Sequence, residues 1–392
     1  MGSLKDKVAI IGMGCTKFGE RWDAGVEDLL VEAAYEAYED AGISPTDIQA
    51  AWLGTVISGK TGQVLAHALK FDYIPITRVE NICATGTDVL MNACFAVVSG
   101  MYDIVMAIGV EKFKDNPYTG LRTAGELLTS GTDQSDFTPP PAQFAFAATR
   151  YAYHYGIPMN ELRKTLAKIA VKNHHNGTLS PKAHFHREVT LEQVINAPLI
   201  AWPLGLFDCC AVSDGAVCAI VTRPDIAKGF REDYVLVKGI GLAIGGHQGT
   251  LCDDYDFTHF EESVRASKMA YEQAGIKDPF KEIDHAEVHD CFTITELLIY
   301  EDLGFVPRGK SMEAVDAGIF ELGGELAVNP DGGLKCFGHP VSATGLRQAY
   351  EVYKQLQGKA GPRQRKNPSL GLTHTLGGFP GTFSCGVSIL GR

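Results

Sequence analysis

The block Cys83-Ala84-Thr85-Gly86 opens a helix-like run, and Ser342-Ala343-Thr344-Gly345 opens a second one far along the chain. The residues after the first block are apolar nearly all round, which predicts a buried helix. After the second block the apolar residues recur at helical spacing. Strand-like runs follow at 104–108 and at 369–372. This repeated order predicts two similar halves built from the same elements.

A second pair of matching segments supports the internal repeat. Ala37-Tyr38-Glu39-Asp40-Ala41-Gly42-Ile43 recurs as Ala270-Tyr271-Glu272-Gln273-Ala274-Gly275-Ile276. In each copy an amphipathic helix ends at the glycine, which is typical of a helix C-terminus. A short strand follows each copy, at 50–54 and at 285–289. Strands that alternate with helices predict an α/β fold with mostly parallel sheets.

Residues 119–204 differ from both halves and predict an inserted loop domain, because they hold three consecutive prolines and a polar run. The run contains His174, His175, His184 and His186, which are interpreted as solvated. The predicted boundaries are 1–118 with 205–228 for the first half, 119–204 for the insert and 229–392 for the second half.

Composition narrows the class of protein. The 392 residues are 45% hydrophobic and 21% charged, as in an ordinary globular protein of two or three domains. A net charge of −12 argues against nucleic acid or an anionic membrane as partner. No apolar run is long enough for a membrane span. The absence of a signal-like N-terminus and of any CxxC pair among ten cysteines favours reduced thiols and a cytoplasmic location.

Cys83 is the candidate nucleophile. It precedes the predicted buried helix, whose N–H groups and dipole favour a thiolate. The small residues that follow leave room for a substrate. A free cysteine alone is more often structural, so the interpretation depends on the residues expected around it.

Those residues come from the second half. His339 stands just ahead of the helix that mirrors the Cys83 helix, so a pseudo-twofold relation would let it take the Cys83 proton. His289 and Cys291 follow a strand of the same half. Gly377 lies in a glycine turn whose backbone N–H groups suit an oxyanion. Together these groups form a set for covalent catalysis.

The whole chain resembles the thiolase superfamily. The resemblance rests on the Cys83 block, on Gly338-His339-Pro340 with Ala343-Thr344-Gly345, and on the glycine turn at 375–381. The sequence His289-Asp290-Cys291-Phe292 is similar to the sterol-carrier-protein type of thiolase and to its archaeal and bacterial relatives. The resemblance implies the thiolase fold, in which two pseudo-symmetric α/β halves form α-β-α-β-α layers with an inserted loop domain.

The resemblance also implies roles. Cys83 carries the acyl group, His339 activates it, His289 holds an oxyanion-hole water, and the N–H groups of Cys83 and Gly377 form a second oxyanion hole. Most thiolases have another catalytic cysteine in a terminal Cys-x-Gly turn. Here that turn aligns with Thr375 rather than with Cys385, so Cys291 is the preferred acid/base and Cys385 the alternative.

The predicted function is a CoA-dependent thiolase that condenses acetyl-CoA or cleaves 3-ketoacyl-CoA, with CoA thioesters as substrates and neither cofactor nor metal. One alternative is an acyltransferase or carbon–carbon lyase or synthase with another acceptor. A second alternative is a catalytically weak acyl-CoA- or lipid-binding subunit. The resemblance further implies a homodimer or higher oligomer, and some relatives form complexes with a small zinc-ribbon/OB-fold protein.

Three further interpretations concern polar residues near the motifs. A minor alternative is a zinc site formed by Cys336, His339, His289 and Cys291. We interpret Asp290 as a polar residue that only fills space, and Cys209 and Cys210 as core residues. Basic residues of the loop domain are considered for contacts with CoA phosphates, without any specific contact: Arg163, Lys164, Lys168, Lys172, Lys182 and Arg187.

Overall fold

The computed structural model describes residues 3–115, 139–246 and 248–392, so the predicted boundary at 118 and 119 lies outside the described residues. The strands are β1 Ala9–Cys15, β2 Ala50–Gly54, β3 Ile76–Val79, β4 Ile104–Glu111, β5 Leu199–Ala201, β6 Leu204–Gly205, β7 Gly215–Thr222, β8 Val235–Ile244, β9 His285–Glu287, β10 Ala327–Val328, β11 Leu370–Phe379 and β12 Thr382–Gly391. The helices are α1 Val26–Ala41, α2 Gln63–Leu69, α3 Thr85–Val98, α4 Pro140–Tyr155, α5 Met159–Thr178, α6 Leu191–Ile195, α7 Pro224–Ala227, α8 Gln248–Leu251, α9 Glu261–Ala274, α10 Pro279–Glu282, α11 Thr293–Asp302, α12 Ser311–Asp316, α13 Gly333–Phe337 and α14 Val341–Leu356.

The two halves share one strand topology. The first half forms the order β1-β7-β4-β2-β3, and the second forms β8-β12-β11-β9-β10. When the strands of each half are counted along the chain, leaving out β5 and β6, both halves have the spatial order first, fifth, fourth, second, third. The halves join where β1 pairs with β8, at Ala9 with Leu236 and Ile10 with Val235. The matched order confirms the pseudo-symmetric α/β halves predicted from the repeats.

The strand directions differ from the prediction of mostly parallel sheets. In the first half β2 runs parallel to β3 and β4, but β7 runs antiparallel to both β4 and β1. The second half repeats this mixture. The tight link from Phe379 to Thr382 leaves no room for the crossover that a parallel pair needs, so β12 returns antiparallel to β11.

The two central helices lie between the sheets of the two halves. α3 contacts α14 and packs on β2 and β4, while α14 packs on β11 and β9. On the outside, α1 covers β1 and β7, and α9 covers β8 and β12. Both outer helices end at the predicted glycines, Gly42 and Gly275, which have φ of 71° and 82°. The predicted α-β-α-β-α layers are therefore confirmed.

The segment between β4 and β7 packs largely against the second half. Phe144 and Tyr151 of α4 belong to the same buried cluster as Leu297 of α11. The Tyr151 hydroxyl donates to Glu301 at 2.7 Å, and Lys172 of α5 forms a buried ion pair with Glu296 at 2.7 Å. This packing fixes α4 beside the loops that follow β9.

Candidate active site

Cys83 lies in a tight turn between β3 and α3. The preceding residue, Ile82, has φ of 49°, a left-handed conformation that is strained for a β-branched side chain. Thr85 holds the turn, because its hydroxyl oxygen accepts a hydrogen bond from the Asn81 backbone amide at 2.8 Å. Cys83 itself is buried, with 5% of its surface exposed. Strain of this kind is concentrated at functional sites, so the turn marks Cys83 as more than a packing residue.

His339 is held by the first turn of α14. Its Nδ1 lies 2.7 Å from the Thr344 hydroxyl, which donates its single proton to the Pro340 carbonyl at 3.1 Å. The hydroxyl oxygen must therefore accept from His339, so the ring proton lies on Nδ1. The opposite nitrogen, Nε2, is buried and has no hydrogen-bond partner among the described residues. This tautomer gives His339 a free basic nitrogen.

His289 and Cys291 follow β9 and approach the same point. The rings of His289 and His339 lie edge to face with centroids 5.0 Å apart. The Cys83 sulfur and one nitrogen from each ring all lie within 4.8 Å of one another. The Cys291 sulfur lies 3.5 Å from the hydroxyl of Thr295 on α11. The two halves thus contribute to one constellation, with Cys83 from the first half and the other groups from the second.

These side chains border a cavity of about 530 Å³, a size typical of small-ligand pockets. Cys83, His289, Cys291 and His339 all line it. The remaining lining is mainly apolar and consists of Phe113, Pro139, Pro140, Pro141, Phe144, Cys209, Cys210, Ala211, Val212, Phe292, Leu376 and Gly378. Four of the five predicted site residues therefore share one cavity.

The fifth predicted residue, Gly377, lies behind the cavity wall. A β-carbon at Gly377 would stand 2.5 Å from the Cys83 backbone nitrogen, so glycine is required for this close approach. Its neighbours Leu376 and Gly378 line the cavity, and the backbone amide hydrogen bond of Gly378 lowers the pKa of the Cys83 thiol. The predicted glycine turn is here the end of strand β11, which lies against Cys83.

Cys385 is separate from this cavity among the described residues. It is fully buried in β12, and its sulfur lies 3.3 Å from Nε2 of His374 and 3.7 Å from the Ser263 hydroxyl. Thr375, which aligns with the second cysteine of other thiolases, is also buried and bonds to Thr87 at 2.9 Å. Of the two candidate acid/base cysteines, only Cys291 faces the cavity.

The four ligands of the alternative zinc site do not come together. The Cys336 thiol points away and donates to the Asn173 carbonyl at 3.2 Å. Within the described ranges, the one Cys/His/Asp/Glu group with metal-binding spacing is Cys83, His289 and His339. The alternative built on Cys336 is therefore wrong.

Burial dominates the electrostatics of the site. Burial raises the pKa of Cys83 far above its usual value, nearby Cys210 adds to this, and the Gly378 amide opposes it. Burial, with a smaller effect of the Arg347 cation, lowers the pKa of His339 to about 3. The resting pair is a neutral thiol and a neutral imidazole. Burial, the largest cause acting on the pKa of Cys83, thus favours the neutral thiol over the thiolate expected from the sequence.

Cys209 and Cys210 were not expected at the site. They line the cavity, and the segment that contains them connects its two walls. The Cys210 amide donates to the Cys291 carbonyl at 2.9 Å, and the His339 amide donates to the Ala211 carbonyl at 2.9 Å. Nothing in the residue pattern indicates these contacts, which depend on how the chain returns from the insert.

Asp290 is also more than a filler. Its buried carboxylate accepts the backbone amides of Leu334 and Lys335, at 2.6 and 3.1 Å, and the side-chain amide of Asn173 at 2.9 Å. Leu334 and Lys335 begin the short helix that leads to His339. Asp290 therefore connects the His289–Cys291 loop to the His339 loop.

Several polar residues of the insert are paired rather than free. Lys168 pairs with Asp316 at 2.6 Å, and Lys182 with Glu36 at 2.5 Å. Lys172 is buried against Glu296. His174 is also buried, with 7% of its surface exposed, so its interpretation as solvated is wrong.

Comparison with known proteins identifies the family. Residues 8–225 match the family model "Thiolase, N-terminal domain", and residues 246–392 match "Thiolase C-terminal domain-like". The chain belongs to the thiolase family. This confirms the resemblance predicted from the cysteine and histidine motifs. As a thiolase, the chain is an acyltransferase.

Three known proteins illustrate the similarity of this thiolase to its relatives. An acetyl-CoA acetyltransferase of Methanothermobacter thermautotrophicus is 39% identical over 96% of this chain and 97% of its own length. Sterol carrier protein 2 of Gallus gallus is 32% identical over 98% of this chain and 74% of its own length. A solved Ltp2-ChsH2(DUF35) aldolase structure is 25% identical with a TM-score of 0.85, covering 99% of this chain and 98% of that one. In the described ranges of this thiolase, every helix is too short or too polar to cross a bilayer.

Proposed function

We propose that this thiolase transfers acyl groups between CoA and Cys83 and makes or breaks the carbon–carbon bond of a 3-ketoacyl-CoA. The observation that supports the proposal is the Cys83 sulfur within 4.8 Å of a ring nitrogen of His339, in a cavity that Cys291 also lines. The similarity to an acetyl-CoA acetyltransferase supports this choice of reaction.

In the cleavage direction, the Cys83 sulfur attacks the C3 carbonyl while its proton moves to His339 Nε2. Because both groups are neutral at rest, the proton moves as the sulfur attacks. The tetrahedral oxyanion receives hydrogen bonds from backbone amides of the Cys83 turn and of the adjacent end of β11. The C2–C3 bond then breaks, and Cys291 protonates C2, so acetyl-CoA leaves and an acyl group stays on Cys83.

The second half-reaction returns the enzyme to its starting state. A CoA thiol gives its proton to the Cys291 thiolate, and its sulfur attacks the acyl-Cys83 thioester. The Cys83 thiolate leaves and is reprotonated by His339. A water held by His289 stabilises the enolate oxygen of acetyl-CoA when carbon–carbon bonds form or break. Condensation is the same sequence reversed, and neither direction needs a metal or an organic cofactor.

We extend the proposal to the setting of the enzyme. The segment 119–204 binds the acyl-CoA, and the enzyme forms at least a homodimer in the cytoplasm, where its ten free cysteines stay reduced. The solved aldolase structure contains ChsH2(DUF35), which supports a small zinc-ribbon/OB-fold protein as a further partner of this chain.

Thiolysis of a series of 3-ketoacyl-CoA substrates tests the reaction. Cys83→Ala should abolish turnover, and Cys291→Ala should reduce it by at least about a hundredfold, since a positioned acid or base contributes about that much. Cys385→Ala, at a buried cysteine outside the cavity, is the control and should keep wild-type turnover. Equal losses in Cys385→Ala and Cys291→Ala, or substantial turnover in Cys83→Ala, would contradict the assignment.

The similarity to an aldolase favours one alternative, a retro-aldol cleavage of a 3-hydroxyacyl-CoA. That reaction needs no acyl-Cys83 and no second CoA. Release of acetyl-CoA from a 3-hydroxyacyl-CoA in the absence of CoA, with activity retained in Cys83→Ala, would favour this alternative.

A further inference from the structure

The catalytic cavity contains three donor atoms that suit a soft metal ion. The Cys83 sulfur and one ring nitrogen each from His289 and His339 lie within 4.8 Å of one another, and all three residues are buried. Zn²⁺ is bound by such a set of thiolate and imidazole ligands. We propose that a single zinc-like divalent cation binds Cys83, His289 and His339 reversibly and inhibits the enzyme.

The geometry requires only a modest contraction. Tetrahedral zinc with bonds of about 2.3 Å to sulfur and about 2.05 Å to nitrogen holds its ligand atoms about 3.4 to 3.6 Å apart. The widest pair in the structure is no more than 4.8 Å apart. Side-chain movements of about 1 Å therefore close the site. Three protein ligands leave the fourth position to face the cavity, as in open zinc sites.

The two imidazoles are available as ligands. The hydroxyl of Thr344 fixes the proton of His339 on Nδ1, so the buried lone pair on Nε2 has no partner among the described residues. Nδ1 of His289 is likewise buried without a partner. Orphaned buried nitrogens of this kind are uncommon unless a ligand or water satisfies them.

The surrounding charges permit a cation. Two cations act on this environment among the described residues: Arg347, which is bonded to the carboxylates of Glu287 and Asp331, and the buried Lys335, which donates to the Asp208 carbonyl. The single positive charge of the Arg347 guanidinium is therefore opposed by two carboxylates. Metal binding replaces the S–H bond of Cys83 with an S–metal bond and releases one proton to solvent. The thiolate cancels one of the two positive charges of the ion.

This cation acts as an inhibitor rather than as a cofactor. A metal-bound Cys83 sulfur cannot attack a thioester, and a metal-bound His339 cannot take the proton. Metal and acyl group are therefore mutually exclusive on Cys83. Metal binding itself does not depend on the proposed function, whereas the inhibition rests on it.

Titration of the chelator-treated full chain with Co²⁺, a spectroscopic substitute for Zn²⁺, tests the site. We expect one equivalent to give thiolate-to-cobalt charge-transfer absorption and tetrahedral d–d bands, and Zn²⁺ to displace it. Cys83→Ala should lose the charge-transfer band, and His339→Asn should weaken binding by more than about a hundredfold. Cys385→Ala and the exposed Cys252→Ser serve as controls and should bind as wild type.

The outcomes separate the two proposals. A charge-transfer band that persists in Cys83→Ala, or no saturable one-equivalent binding in folded wild type, would overturn the metal site. His339→Asn is checked by its thermal melting curve, and His289→Asn gives a second loss of affinity if the first variant unfolds. A normal cobalt spectrum in a chain that shows no thiolysis would uphold the site and reject the proposed function. Thiolysis unaffected by saturating Zn²⁺ would overturn the inhibition.

Discussion

Gly86 and Gly345 lie against each other at the crossing of α3 and α14. A β-carbon on Gly86 would stand 2.8 Å from the Gly345 nitrogen, and one on Gly345 would stand 2.6 Å from the Thr87 nitrogen. These glycines end the two matched sequence blocks. Their contact brings the two helix starts together, and so it brings Cys83 near His339.

This close crossing predicts that any side chain at position 345 strongly lowers the free energy of unfolding. Gly345→Ala places a methyl group on backbone atoms that cannot move aside, and we expect a loss of about 2 kcal/mol or more in unfolding free energy. Urea unfolding measures this loss of free energy. Gly323→Ala is the matched control, because its β-carbon would have no atom within 4 Å. Equal midpoints for the two variants would contradict the close crossing.

The Thr344 hydroxyl should matter for rate more than for binding. Thr344→Val keeps the shape but removes the acceptor that fixes the His339 ring, so kcat should fall about tenfold to a hundredfold with KM little changed. Thr344→Ser keeps the hydroxyl and should recover most of the rate. Steady-state thiolysis kinetics decide the matter, and equal kcat values for the valine and serine variants would disprove this role.

Asp290 should be needed for both stability and turnover. Asp290→Asn replaces an acceptor with an N–H donor among three buried donors, so we expect a loss of about 1–3 kcal/mol in unfolding free energy. It should also lower kcat, because the His289 and His339 loops lose their connection. Asp23→Asn, at an exposed surface position, is the control. Wild-type stability and kcat in Asp290→Asn would show that the connection is unimportant.

The buried His285 predicts an acid-sensitive fold. Both of its ring nitrogens lack partners in the described part of the chain, and burial lowers its pKa to about 4. The unfolded chain, with an ordinary histidine pKa near 6.5, binds the proton more readily. The stabilisation is therefore complete above about pH 6.5, and up to about 3 kcal/mol is lost as the pH falls towards 4.

Unfolding curves between pH 7 and 4.5 test this linkage. His285→Leu cannot take up the proton, so its unfolding free energy should fall less with acid than that of the wild type. His154→Leu, at an exposed histidine without an ion pair among the described residues, serves as the control for removing a surface histidine. Parallel pH profiles for wild type and His285→Leu would refute the linkage.

The sequence predicts the central residues of the site because they lie in or beside the repeated sequence blocks. Matched blocks before α3 and α14 indicate two related halves, and a pseudo-twofold relation places Cys83 beside His339. The glycines and small residues of these blocks are themselves the contact. Local pattern and spatial arrangement agree at these positions, so the predicted proximity of Cys83 and His339 is found, while their catalytic roles stay predictions.

The rest depends on contacts that no local pattern encodes. Cys209 and Cys210 reach the cavity because the chain returns from the insert between the Cys291 and His339 loops. The raised pKa of Cys83 depends on its burial, to which residues of both halves contribute, whereas the sequence shows only the helix that follows Cys83. The antiparallel strands follow from a two-residue link after Phe379, which the alternation of helices and strands does not indicate.

Peptide-resolved mass spectrometry after incubation with acetyl-CoA detects the acyl-enzyme itself. We expect one acetyl group per chain, on Cys83, removed by added CoA and missing in Cys83→Ala and His339→Asn. An acetyl group on Cys291 or Cys210 instead, or the absence of any adduct in a chain that still turns over 3-ketoacyl-CoA, would contradict this expectation.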